Sequence, residues 1–479
     1  MIGEDVFFAS IRELGAMLRG RRLSAVDLAE ACLARLETQG PRLGAVVTLT
    51  RERALAQAHW ANQELLAGRD RGPLHGIPWG AKDLLATKGI PTTWGAEPLR
   101  GQVFDYDATV VERLDEAGAV LVAKLAMVEL AGGMGYNNPD ASFTGPGRSP
   151  WNPDHWSGGS SSGSGAAVAA GLVPFALGSE TSGSILTPAA FSGVTGLRPT
   201  YGLVSRHGAM ALCWTLDKLG PMARSADDCA LVLSAIAGPD PKDPTTGERF
   251  HYRRREGRDP RFRIGVIKNA TVGAESEVEA NFRRSLEVLR EVADVEEDIA
   301  FPDFPWGEAA GVIVDAEGAA AFRELIESGK VKQLRDRTDR IGGYAMIMAR
   351  AVDYLDAMRL RVPMRAALDA LLARYDALVA PTRTGVAPPI GRDFDAPPPA
   401  AEAPRPAEPE PPSAPDVIPA GNLAGLPAIA MPNGFGQNGL PTSLQLLGRA
   451  LSEATLVAIA ERYQQMTDWH LKRPPAPPA

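Results

Sequence analysis

Apolar positions recur at helical spacing soon after the start of the chain. Val26, Ala29, Leu33 and Leu36 follow Ser24, and Asp27 stands three residues after that serine, which resembles a capping box and predicts a helix. The pattern predicts a second helix from about Arg51 to Ala67, ending at Gly68. The stretch GPLHGIPWGAKDLL, residues 72–85, breaks the period: two prolines and three glycines in an apolar background predict strands and tight turns. Residues 108–118 read as helix and AVLVAK, 119–124, as a buried strand. From 130 to 200 the chain is rich in Gly, Ser and Ala and almost free of charge. Beyond it lie a strand at 263–267, a helix from about Ser276 to Val292 and an apolar strand within 375–382. Strands and helices interleave and no fixed-period repeat is visible, so the class is α/β.

Composition narrows the picture. The 479 residues, 45% hydrophobic and 23% charged, have enough apolar surface for a sizeable core, and the length fits two or three domains or one large enzyme. Fifty Lys and Arg against fifty-eight Asp and Glu give a net charge of −8, which disfavours a stand-alone nucleic-acid binder. No secretory signal opens the sequence and no apolar run reaches membrane-spanning length. Cys32, Cys213 and Cys229 form no disulfide framework, which points to buried thiols in a reducing cytoplasm. Six scattered histidines, with no HExxH and no His/Cys cluster, argue against a metal site; His75 and His207, each beside glycine, read as hydrogen-bonding loop residues. Residues 396–415 hold nine prolines in twenty positions and predict an extended, solvated excursion. It is either a surface loop without a role or a flap near a substrate entrance.

The chemistry concentrates in residues 156–202. The run GGSSSGSG could be a flexible linker, but it leads straight into the apolar AAVAAGLVPFAL. No GK[ST] follows, so it is not a P-loop. Gly159 to Gly163 match GxSxG, the nucleophile elbow of α/β-hydrolases with Ser161 at its centre, yet no downstream histidine is marked as a partner. Another account uses a second Ser/Gly turn, GSETSGSI, whose Ser184 lies 24 residues after Ser160, and the lone Lys82, 78 residues before Ser160. A desolvated lysine can accept a proton in place of histidine. That requires its pKa to fall from about 10.4 to about 7–8, or about 4 kcal/mol, which burial and hydroxyl partners can supply.

With these residues the chain resembles the amidase signature family of Ser-cisSer-Lys hydrolases. GGSSSGS at 158–164 and GSETSGSIL at 178–186 match its paired motifs, and the similarity runs on through 196–228 and 422–456. The resemblance implies one α/β/α domain over 1–479, a mixed, twisted central sheet covered by helices, with 396–415 a surface insert and 473–479 a frayed tail. It implies that Ser184 is the nucleophile and that Ser160, after a cis Gly159–Ser160 peptide, passes its proton to neutral Lys82. The N–H groups of Thr181, Ser182, Gly183 and Ser184 would form the oxyanion hole, and Ser161 and Ser179 would hold Lys82. Ala131, Gly132 and Gly133 would line the acyl pocket. No cofactor is implied. Three positions depart from the family pattern: Glu180 for Asp, Ser182 for Gly and Leu186 for Arg. An apolar Leu186 near the site leads to the expectation of a neutral, hydrophobic small-molecule amide, with aryl esters and carbamates (urethanase activity) passing through the same oxyanion. The rival is the A chain of a glutamine-dependent tRNA amidotransferase, similar in the same regions, which would bring tRNA and a second protein partner.

Overall fold

The computed structural model describes residues 2–254, 261–394 and 415–475. Eleven strands of the described chain form one sheet: β1 (Val46–Leu49), β2 (Pro78–Lys82), β3 (Val120–Leu125), β4 (Phe175–Glu180), β5 (Thr195–Arg198), β6 (Lys218–Ala223), β7 (Phe262–Ile267), β8 (Ala293–Ile299), β9 (Ala377–Pro381), β10 (Ala428–Phe435) and β11 (Pro441–Leu447). Their order is β1-β3-β2-β4-β6-β5-β10-β11-β9-β7-β8. Strand β2 runs parallel to both β3 and β4, and β7 runs parallel to both β8 and β9. The six other pairs are antiparallel, so the sheet is mixed. Every residue of β2, β3 and β4 is buried, as expected where helices cover both faces.

The predicted elements fall close to their sequence positions. The first helix spans Ala25–Gln39, with the Ser24 hydroxyl accepting from Asp27 N at 3.0 Å; the second spans Arg51–Leu66. The helix predicted at 276–292 is found at Ser276–Val292. A contiguous core extends from Ile11 to Tyr463. All three cysteines are buried and free. His75 is fully buried and its Nδ1 accepts from Arg71 N at 3.1 Å, while the His207 ring packs against Tyr106 at 5.8 Å. The proline-rich segment lies outside the described residues except for Pro415. At the tail, Asp5 accepts from the Arg473 guanidinium at 2.7 Å and Phe8 packs beneath it at 4.7 Å, while residues 476–479 of the expected frayed tail lie outside the described residues. Within the described residues no helix is long and apolar enough to cross a membrane.

Candidate active site

Three pieces of chain meet at the C-terminal end of β2. Lys82 is the last residue of that strand and has no exposed surface. Ser160 and Ser161 end a tight turn that opens the helix Ser162–Ala169, and Ser179 lies near the end of β4, beside β2. The turn packs closely. A Cβ on Gly163 would stand 2.4 Å from Ala45 O and 2.5 Å from Ala126 N, and Gly158, at φ +87°, would push one into Pro188. These glycines let the helix start approach the strand ends without a side chain between them. The Gly159–Ser160 peptide is cis.

The Lys82 ammonium nitrogen lies 2.7 Å from Ser160 Oγ, 2.9 Å from Ser161 Oγ and 2.8 Å from Ser179 Oγ. These three partners are hydroxyls, none of which carries charge. Burial pulls its pKa down to about 7, against the smaller upward pull of Asp217 and Glu180. The next residue, Asp83, is treated differently: it pairs with buried Lys124 at 3.0 Å, so that carboxylate is engaged away from Lys82.

Ser184 sits half-buried in the turn between β4 and the helix Leu186–Ser192, and its carbonyl accepts from Ser161 N at 3.3 Å. Glu180 fixes this turn from below. Its Oε2 accepts from Ile185 N at 2.8 Å and Leu186 N at 3.0 Å, while Oε1 takes Arg198 at 2.9 Å and Asn422 Nδ2 at 2.9 Å. Burial opposes the charge on Glu180, but Arg198, Asn422 and the backbone donor outweigh it and hold the carboxyl below its ordinary value. From the other side, the Thr181 hydroxyl donates to Asp217 at 2.6 Å. Asp217 also accepts from Leu212 N and Cys213 N, each at 2.9 Å. Gly183 takes φ +97°, which only glycine adopts freely.

A cavity of about 210 Å³ opens onto Ser179 and Thr181, lined among others by Leu84, Ala131, Met210, Leu212 and Trp214. Here the structure departs from the sequence expectation. Ala131 lines the cavity, in a left-handed conformation, but Gly132, Gly133 and Leu186 are not among the lining residues. Leu186 is fully buried at a helix start, so its apolar character supplies packing and does not describe the substrate's surroundings. The charged residues lining the cavity are committed to partners. Arg206 meets Asp243 at 3.4 Å, Lys242 meets Glu112 at 2.9 Å, and Asp217 holds the donors already named. Sequence reading missed Arg198, Asp217 and Trp214. Two isolated charges, Glu180 and Arg198, in an otherwise almost uncharged stretch were the available signal for a buried pair. Among the described residues no group of three or more His, Cys, Asp or Glu is arranged to hold a metal.

The Amidase family model matches residues 27–457. The chain is 39% identical to the A chain of the glutamyl-tRNA(Gln) amidotransferase of Chloroflexus aurantiacus, over 96% of this chain and 96% of that relative. It superimposes on native peptide amidase from Stenotrophomonas maltophilia with a TM-score of 0.80 and 32% identity, covering 96% of this chain and 97% of that one. A protein from a vestigial complex that reveals the origins of an s-triazine catabolic enzyme gives a TM-score of 0.84 at 29% identity, covering 96% and 98%. Matched by the family model over most of its length, and by these proteins over nearly all of it, the chain belongs to the amidase signature family.

Proposed function

We propose that this protein hydrolyses neutral amides through an acyl-enzyme on Ser184. The observation that carries the reading is the buried Lys82 amine, held by three hydroxyls and with a pKa lowered to about 7. Near neutrality a large fraction of it is uncharged and able to accept a proton. As the Ser184 oxygen bonds to the substrate carbonyl carbon, its proton passes to Ser160 Oγ, and the Ser160 proton passes to Lys82 Nζ. The N–H groups of Thr181, Ser182, Gly183 and Ser184 receive the negative charge that develops on the carbonyl oxygen. Collapse of the tetrahedral intermediate breaks the C–N bond, and the leaving amine takes a proton back through Ser160. Water then enters by the same relay and releases the acid. Ser161 and Ser179 hold the lysine and do not react. Esters and carbamates follow the same path.

A neutral substrate rests on the cavity's charges and no longer on Leu186. Its cations and carboxylates each have a protein partner, which leaves little to recognise the ammonium and carboxylate of free glutamine. In the second reading the chain is the amidotransferase's A component and draws ammonia from glutamine for a tRNA-bound acceptor. It is supported by the 39% identity to a protein of that kind, and that identity weighs toward it. Incubating the purified chain alone with 4-nitroacetanilide and with glutamine separates the two. Release of nitroaniline without a partner is the expected result; glutamine turnover alone, or only with added partner proteins, establishes the second reading. A fluorophosphonate adduct should map to Ser184 and vanish in Ser184→Ala. An adduct on Ser161 would mean that the GxSxG elbow is the nucleophile instead.

A further inference from the structure

Trp214 is 62% exposed although it lines the cavity that reaches Ser179 and Thr181. A tryptophan left in water forgoes one of the larger burial energies available to a side chain, so its fixed placement calls for a reason. The backbone around it is pinned on every side. Its carbonyl accepts from Tyr201 OH at 3.0 Å and from the Arg206 guanidinium. Its neighbours Cys213 and Thr215 are held by Asp217 and Glu317, with Thr215 N and Oγ1 each 2.9 Å from the Glu317 carboxylate. Arg206 Cζ lies 5.5 Å from the indole centroid and 4.9 Å from the Tyr201 ring, and Arg206 is itself held by Asp243 and Thr245. The indole is therefore backed by a cation that is already paired, and the residue keeps most of its surface uncovered. Beside it in the cavity stand Met210 and Leu212.

We infer that Trp214 is the stacking wall of a subsite for a planar aromatic group, carried on the acyl or the amine side of the substrate. This rests on the reading of Ser184 as the nucleophile of a neutral-amide hydrolase, and it names the substrate class. A flat ring entering the cavity would cover the indole and the Met210 and Leu212 side chains together, burying apolar surface on both partners. An aliphatic amide of the same charge would enter the same cavity beside Thr181 but cover less of the wall. Arg206 acts through Trp214, holding its carbonyl and one region of its ring, and is a positioning residue.

The test is the ratio of kcat/KM for benzamide to that for propionamide, in the wild type, Trp214→Ala and Trp214→Phe, with thermal melts to confirm folding. The ratio should fall about 10- to 100-fold in Trp214→Ala, mainly through KM for benzamide, and return toward the wild-type value in Trp214→Phe. A ratio unchanged in Trp214→Ala overturns the inference. If the wild type cleaves neither amide, the hydrolase reading fails and the subsite is tested by benzamide binding to Ser184→Ala by calorimetry. Loss of binding on adding Trp214→Ala supports it; an unchanged Kd, or no binding to Ser184→Ala, overturns it.

Discussion

At the scale of single residues the proposed mechanism turns on the protonation of Lys82. Moving its pKa from 10.5 to about 7 has consequences for rate and for stability. On the proposed mechanism the uncharged amine is the working form, so kcat/KM should rise with pH through about 7 and level above it, and Lys82→Met should lose about three orders of magnitude of turnover. For stability the sign follows from proton counts. Between the folded value of about 7 and the ordinary 10.5 the unfolded chain binds more protons than the folded one, so stability rises with pH across that window. Below about 7 the folded state carries the full penalty of a buried ammonium. Chemical denaturation at a series of pH values should show the wild-type slope reduced in Lys82→Met. Because Lys218 is also buried with its pKa brought down to about 7, part of the slope should survive that substitution.

At the scale of elements, a strand end, a helix start and a turn must keep their registers for the hydroxyls to surround Lys82. Glu180 is the joint. One carboxylate ties the 185–186 backbone and Arg198 on β5 to Asn422, which lies more than two hundred residues further along the chain. Replacing it by Gln keeps the shape but leaves the Arg198 guanidinium, fully buried, without its counter-charge. Glu180→Gln should cost about 3–5 kcal/mol, seen as a lower denaturation midpoint. Turnover should fall as well, since the same carboxylate positions the turn that carries Ser184. The motif letters identified the turn and the isolated charge of Arg198 hinted at a buried pair, but Asn422 was invisible as a partner because nothing local in its segment announces a bond to residue 180.

At the scale of the molecule, the sheet is closed by a late part of the chain. Strands β10 and β11, from 428 to 447, lie between β5 and β9, in the interior of the order. Strand β10 pairs with β5, β5 pairs with β6 beside β4, and helix Val417–Leu423 supplies Asn422 to Glu180. A chain ending at residue 394 would expose two unpaired strand edges in the middle of the core. It should accumulate in the insoluble fraction or, if soluble, melt without a cooperative transition, while the full chain melts cooperatively. Nothing in the early sequence predicts this dependence, because β5 and its partner β10 are more than two hundred residues apart.

What the sequence determined by itself was local and periodic: the helices at 25–39, 51–66 and 276–292, the buried strand at 120–125, and two Ser/Gly turns whose composition demands close backbone approach. Those features depend on neighbours a few residues away, and spacing reports them directly. The position of Lys82 against three hydroxyls, the burial of Leu186 away from the cavity and the exposure of Trp214 at its edge were decided by tertiary structure. Burial, and with it the charge state of an amine or the availability of an indole, is set by what the rest of the chain places around a residue. Identical letters in a turn leave those surroundings open until distant strands such as β10 and β11 pack into place.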